Sequence, residues 1–249
     1  TLELCARTIL NAKTLGEPKY LTEEQILMHE KHQPNFQHFM DVTHPSDERA
    51  LRSEICRMVR RACDQHLMSS SYGTVSMRWR DNDFLITPTG VQRWDIDEED
   101  IVQIKDGMAE AGKKPSRAAA LHYEIYRRNP KVKAVVLTQC PALMGFCTTD
   151  AEFNVRTIPE SWIFLQDVPK FPFGSQYTDP AKDFKDRPCA MLANDSIVVA
   201  SDSLINAFDR LEVAEFSAKS LVLAAPAGKL HPITDKEVED LRVAFHVGE

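Results

Sequence analysis

Ser71-Tyr-Gly-Thr-Val-Ser-Met-Arg78 leads, after the turn residues Asp81-Asn-Asp83, into the short apolar run of Phe84-Leu-Ile-Thr-Pro-Thr-Gly90, and in the first of these the apolar residues recur at every second position. Val75, Met77 and Trp79 alternate with polar neighbours, so they share one face of an extended chain. Two such runs around an Asp/Asn turn predict a β-hairpin.

Outward from this hairpin the period changes to that of a helix. On its N-terminal side a helix is expected from about Ser46, with Asp47 and Glu48 in the first turn, where the helix dipole favours acids. Leu51, Ile55, Met58, Val59 and Ala62 supply its buried face. On its C-terminal side a short strand is expected at 100–104 and a helix from about Ser116 to Arg128, ending before Pro130. Lys133–Leu137 reads as an apolar strand, and Pro141 opens another helix. Met191–Ala193 and Ile197–Ala200 flank Asn194-Asp-Ser196 as a second hairpin, followed by a long helix over about Leu204–Ala225. Helices and hairpin-linked strands in this mixture predict an α/β layered fold with a largely antiparallel central sheet flanked by helices.

The N-terminal part is read separately. Residues 1–14 form a helical stripe of Leu2, Cys5, Ala6, Ile9 and Leu10, stopped by Gly16 and Pro18. Leu2-Glu-Leu4, a helix, then Leu21-Thr-Glu-Glu-Gln-Ile26 echoes Leu211-Glu-Val213, a helix, then Ile233-Thr-Asp-Lys-Glu-Val238. On this similarity residues 1–26 are expected to be the tail of a preceding homologous repeat. Chance likeness between helices is the competing explanation. Residues 27–45 show no clean period and read as a linker, with His29, His32, His38 and His44 solvated. Residues 46–249 are then the main domain.

Composition narrows the function classes. Of 249 residues, 43% are hydrophobic and 27% charged, and the net charge is −7. No basic field suggests nucleic-acid binding. No apolar run approaches the roughly 18 residues of a membrane-spanning helix, and residues from Thr1 onward show no signal-peptide pattern. The six cysteines form no C-x-x-C pair and are expected to be buried free thiols, which favours a reducing, cytoplasmic setting.

The two runs around Gly73 and Thr87-Pro-Thr-Gly90 resemble the class II aldolase/adducin family, which includes fuculose- and rhamnulose-phosphate aldolases. That family shows a Gly-Asn-x-Ser-x-Arg strand followed by Ile-Thr-Pro-Ser-Gly. The likeness continues through Lys114-Pro-Ser116, Leu121-His122, Tyr126, Pro130 and Ala134-Val-Val136, and resumes at Ala193-Asn194 and the helix from Asp202 to Leu221, covering about residues 46–238. The resemblance implies a zinc site with three His ligands, a Glu that moves the proton, and a phosphate held by backbone N–H groups and small hydroxyls.

At the positions matching that machinery this chain differs. Where the family has His-x-His, the string is Leu137-Thr138-Gln139. Leucine has no ligating atom, and a neutral amide is a poor match for zinc. Asn194-Asp195-Ser196 stands for Asn-His-Gly, and Pro115-Ser116-Arg117-Ala118 puts a methyl group where the family's Glu belongs. The changed catalytic positions are thus Ala118, Leu137, Gln139 and Asp195. No metal is expected, and this copy is expected to be inactive in the family's chemistry. The phosphate-holding positions match better: Gly73, Thr74, Thr89, Gly90 and Ser116, with Arg117 as an added cation. Turn geometry is the competing explanation for the glycines and threonines, and solvation for Arg117. His122 is expected to be packed on its helix. Trp162, Phe164, Phe171 and Phe173, in a Pro-rich stretch, are expected to cover the sheet or an interface.

Three functions follow as expectations. The first is a non-catalytic domain supporting assembly, either as a homo-oligomer or beside a preceding aldolase repeat, with a sugar phosphate or other anion as possible ligand. The second is a sugar-phosphate enzyme with a rebuilt site of Gln139, Asp195, Arg117 and Thr138. The third is an adducin-like interaction module.

Overall fold

The hairpin at 74–86 lies at the middle of one large sheet. The computed structural model describes residues 2–32, 35–40, 42–178 and 187–247. Within them, β1 (His38–Phe39), β2 (Thr74–Arg80), β3 (Asp83–Ile86), β4 (Val102–Lys105), β5 (Met108–Glu110), β6 (Ala134–Thr138), β7 (Lys170–Phe171), β8 (Cys189–Leu192) and β9 (Ser196–Ser201) join in the order β1-β5-β4-β3-β2-β6-β9-β8-β7. The β1–β5 and β7–β8 pairs are parallel and the others antiparallel, so the sheet is mixed but mostly antiparallel.

Side chains alternate across this sheet into two cores. Val75 and Met77 of β2, Ala134 and Val136 of β6, and Ile197 and Val199 of β9 face one layer. That layer holds α3 (Ser46–Asp64), α5 (Pro141–Cys147), α6 (Pro159–Leu165) and α8 (Leu204–Ala224). Phe84, Ile104, Val135 and Val198 face the other, covered by Leu121, Ile125 and Tyr126 of α4 (Ala119–Arg128). Strands buried on both faces explain why β6 reads as a continuous apolar run. Cys56, Cys63, Cys140, Cys147 and Cys189 are buried free thiols, and Cys5 is exposed. Among the described residues no helix is long and apolar enough to cross a membrane.

The N-terminal part departs from its expected form. α1 (Leu2–Leu15) packs on α5, where Asn11 donates to the Pro141 carbonyl at 2.9 Å. Gly145 permits this approach, since a Cβ there would meet the Asn11 Cβ at 3.0 Å. The stretch read as an irregular linker from residue 27 contains the end of a second helix, α2 (Glu23–Lys31), and the strand β1. α2 buries no residue, so it has no apolar period to betray it; a Thr22/Gln25 capping box fixes its start. All four linker histidines make hydrogen bonds, with His32 and His38 still exposed as expected. His38 bonds the Glu110 carbonyl, and His44 lies between Glu48 and Glu110. These two carboxylates also clasp the buried Arg52, at 2.6 and 2.9 Å. A helix at 159–165 and a short one, α7 (Ser175–Thr178), occupy the Pro-rich stretch. There Trp162 packs on the larger core, Phe171 on the smaller, and Phe173 on Tyr177. The helix echoed near residue 233 is α9 (Asp235–Ala244), with a capping box of its own.

Candidate functional site

Strand ends, turns and one helix start converge on a cavity of about 1020 Å³. Thr74 opens β2 directly opposite Leu137 near the end of β6. Thr87 donates no side chain to the cavity; its hydroxyl accepts from the Val75 N–H at 3.2 Å and so ties the turn after β3 to β2. The Ser116 N–H donates to the Thr87 carbonyl at 3.0 Å, which brings the start of α4 to the same place. The Thr74 and Ser116 hydroxyls then meet at 2.6 Å. All six expected anion-holding residues, Gly73, Thr74, Thr89, Gly90, Ser116 and Arg117, line this cavity.

Arg93 braces that wall, and sequence reasoning missed it. Its guanidinium is 2% exposed and donates to the carbonyls of Gly73, Val91 and Pro88 at 2.8, 2.8 and 3.0 Å. Burial pushes its pKa down to about 10. Among the described residues it has no carboxylate partner, so its charge is available to an anion at the Gly73 and Gly90 turns. A lone Arg after Thr-Pro-Thr-Gly carries no motif that would have flagged it.

The four changed catalytic positions, Ala118, Leu137, Gln139 and Asp195, line the same cavity, with Leu137 paired to Thr74 across the ladder and the Ala118 N–H on the Ser116 hydroxyl. Leu137 and Gln139 point inward because strand side chains alternate, and Thr138 between them points away, its hydroxyl donating to the Leu67 carbonyl. Thr138 therefore drops out of the rebuilt-site set. Gln139 spends its amide N–H on the Asp195 carbonyl at 2.9 Å. The Asp195 carboxyl accepts from the Ser196 hydroxyl at 2.6 Å. Burial pushes its pKa above the usual carboxylate range, with Ser196 and the nearby Arg117 pulling the other way.

Two further residues come from the segment expected to be linker. His29 and His32 of the α2 region line the cavity. His29 sits 2.8 Å from an Arg117 guanidinium nitrogen and 2.6 Å from the Tyr177 hydroxyl, and His32 stacks on the Tyr177 ring at 4.7 Å. The Thr22-Glu-Glu-Gln25 capping box was the available signal, because a helix starting there carries His29 toward the domain. Nothing in the sequence marks Tyr177.

Among the described residues no three His, Cys, Asp or Glu side chains gather to hold a metal ion. Both ring nitrogens of His29 are engaged, by Arg117 and Tyr177. His122 is fully buried, bonds the Ser76 hydroxyl at 2.7 Å, and is pushed by burial down to about 3. It is a packed core histidine, as expected. The residues at this wall do not fit a three-imidazole zinc site.

Comparison with known proteins places these observations. Residues 53–222 match the model of the Class II Aldolase and Adducin N-terminal domain. The chain is 30% identical to the 3-oxo-tetronate 4-phosphate decarboxylase of Haemophilus influenzae, over 68% of this chain and 85% of that one. It is 31% identical to the L-fuculose phosphate aldolase of Methanococcus vannielii, over 67% and 91%. The fold matches YgbL of Klebsiella pneumoniae with a TM-score of 0.72 and 24% identity, covering 80% of this chain and 100% of that one.

Proposed function

The chain belongs to the class II aldolase and adducin N-terminal domain family, and on that premise we propose that its cavity binds a small phosphorylated carbohydrate without zinc and does not carry out metal-assisted carbon–carbon cleavage. The observation that carries this reading is the contrast between two sets of residues lining one cavity. Gly73, Thr74, Thr89, Gly90 and Ser116 line the cavity with the buried Arg93, whereas the changed positions beside them offer a leucine, an amide and one carboxyl. Backbone N–H groups, small hydroxyls and a nearby cation are what a phosphate needs. Zinc supplies a Lewis acid and the family's Glu a proton carrier; Leu137 and Ala118 can replace neither. Calorimetric titration with inorganic phosphate and a tetrose or pentose phosphate tests this. Saturable binding at one site, abolished in Ser116→Asp, is expected. Failure of every phosphorylated compound to bind, or zinc-stimulated cleavage of one, refutes it.

A second reading concerns turnover. Asp195, with its raised pKa, and Arg117 and Gln139 remain as members of a rebuilt enzyme site, and one relative is a decarboxylase by name. Loss of any measured turnover in Asp195→Ala supports it; turnover unchanged in that variant removes it.

The N-terminal helices favour a domain partner. α1 leaves Leu2 88% and Ile9 39% exposed, with Cys5 exposed beside them. The matching residues of α8 in the internal echo, Leu211, Ala218 and Ala214, are core. A preceding homologous repeat would bury the α1 stripe as α8 is buried here. An upstream sequence lacking a second copy of the family's motifs would end this reading.

A further inference from the structure

α2 lies between two fixed points. Before it, α1 packs on α5, the Lys19 N–H donates to the Thr148 carbonyl at 2.7 Å, and the Lys19 amine pairs with Asp150. After it, β1 joins the sheet beside β5, and the Ala109 N–H donates to the Gln37 carbonyl at 2.8 Å. Between these points α2 buries none of its nine residues, and among the described residues it packs extensively on no other helix or strand. Ile26 and Leu27 stay exposed. Nine residues are fewer than the roughly 12–15 that sustain an isolated helix in water. The capping box at Thr22 and Gln25 fixes the start of α2, so its far end depends on what it touches.

What it touches is one short turn. Met28, His29 and His32 cluster at the C-terminal end of α2, and all three meet residues 173–178. His29 Nδ1 lies 2.6 Å from the Tyr177 hydroxyl. The His32 ring stacks on the Tyr177 ring, 4.7 Å away with 17° between planes. Met28 Sδ seats over Gly174, where an added Cβ would lie 2.9 Å from it. His29 has a further bond to Arg117, but that guanidinium is exposed to water that competes for it. Tyr177 therefore carries most of the hold: its hydroxyl takes one histidine and its ring the other.

His29, Lys31, His32 and Tyr177 all line the cavity. The side chains that hold α2 down thus look into the space that a ligand enters. A segment with firm ends, no buried face and one latch opens at lower cost than the core behind it. An anion at Gly73, Thr89 and Ser116 attracts the Lys31 ammonium more strongly when α2 is in place, and so favours the closed arrangement. We propose that α2 and residues 173–178 are the two halves of a cover over the cavity, latched at Tyr177, which opens independently of the core and closes on a bound anion. The closure on an anion rests on the phosphate reading given above; the latch does not.

The test is hydrogen exchange on the full chain, read by mass spectrometry, with inorganic phosphate as the probe. Without phosphate, the hydrogen-bonded amides at 26–32 are expected to exchange at least ten-fold faster than those of β6 and α8. Tyr177→Ala speeds them at least a further ten-fold. Tyr177→Phe, which keeps the stack and loses the His29 bond, speeds them by less. Unchanged rates in β6 and α8 show that both variants are folded. Phosphate at a saturating concentration, set by calorimetry, slows exchange at 26–32 at least three-fold in the wild type and not in Tyr177→Ala. Exchange at 26–32 as slow as in β6, or no faster in Tyr177→Ala, overturns the proposal. So does phosphate that binds by calorimetry and leaves α2 unaltered. If calorimetry finds no phosphate binding, the phosphate reading fails and closure on an anion fails with it, while the comparison without phosphate still decides the latch.

Discussion

Replacing Arg93 by methionine removes a buried cation and leaves the carbonyls of Gly73, Val91 and Pro88 without their donor. Each buried polar group left unsatisfied costs roughly 1–3 kcal/mol, so three carbonyls amount to about 3–9 kcal/mol. Against this, the variant no longer buries a guanidinium, whose desolvation costs several kcal/mol. With about half of the gross cost offset in this way, the net loss is about 2–4 kcal/mol, which for a chain of this size lowers Tm by about 4–16 °C. Arg93→Lys keeps the charge but presents a point rather than a fork, so it cannot reach all three carbonyls and falls between wild type and Arg93→Met. Urea denaturation gives the stability. Titration of the folded variant with inorganic phosphate gives the second effect, at least a ten-fold loss of affinity, because Gly73 and the turn at 88–91 are no longer braced. A loss below about 0.5 kcal/mol together with unchanged phosphate affinity would refute the reasoning.

Gly73→Ala puts a Cβ 2.8 Å from Met68 Cγ at a residue with φ +92°, and is expected to cost about 1–3 kcal/mol and to weaken phosphate binding; unaltered melting and binding would show that the turn has slack. Acid stability should follow Glu110. Burial raises its pKa, but bonds from Lys113, Arg52 and the Gln103 N–H outweigh that and leave it below 4.5. The unfolded chain then binds the proton first, so stability from this group is present above pH 4.5 and is lost as pH falls below it. Glu110→Gln should flatten the melting profile in that window while Arg52 keeps its bond to Glu48; an unchanged slope would remove Glu110 from the account.

β2, α3 and α8 were legible from their periods, β6 from its short continuous apolar run, and the β8–β9 hairpin from the Asn194-Asp-Ser196 turn. α4 was legible too, although it starts three residues later than expected, since Ser116 is spent on Thr74 and on the Ala118 N–H. β1 was not legible: it is two residues long and exists only because β5, far along the chain, pairs with it. α2 was not legible from hydrophobic spacing because it buries nothing. That one omission hid His29 and His32, and with them the contact that holds the exposed Arg117 beside the cavity. The changed positions Ala118, Leu137, Gln139 and Asp195 line one cavity because the start of α4, the end of β6 and the turn between β8 and β9 meet there, whatever side chains they carry.

The measurement that bears most directly on the zinc-free cavity is metal content by elemental analysis of the protein purified without chelators, followed by titration with zinc. The account predicts substoichiometric zinc in the purified protein, no tight site in the titration, and phosphate binding that is the same with and without the metal. One tightly held zinc per chain, lost in Asp195→Ala and needed for phosphorylated ligands to bind, would contradict it.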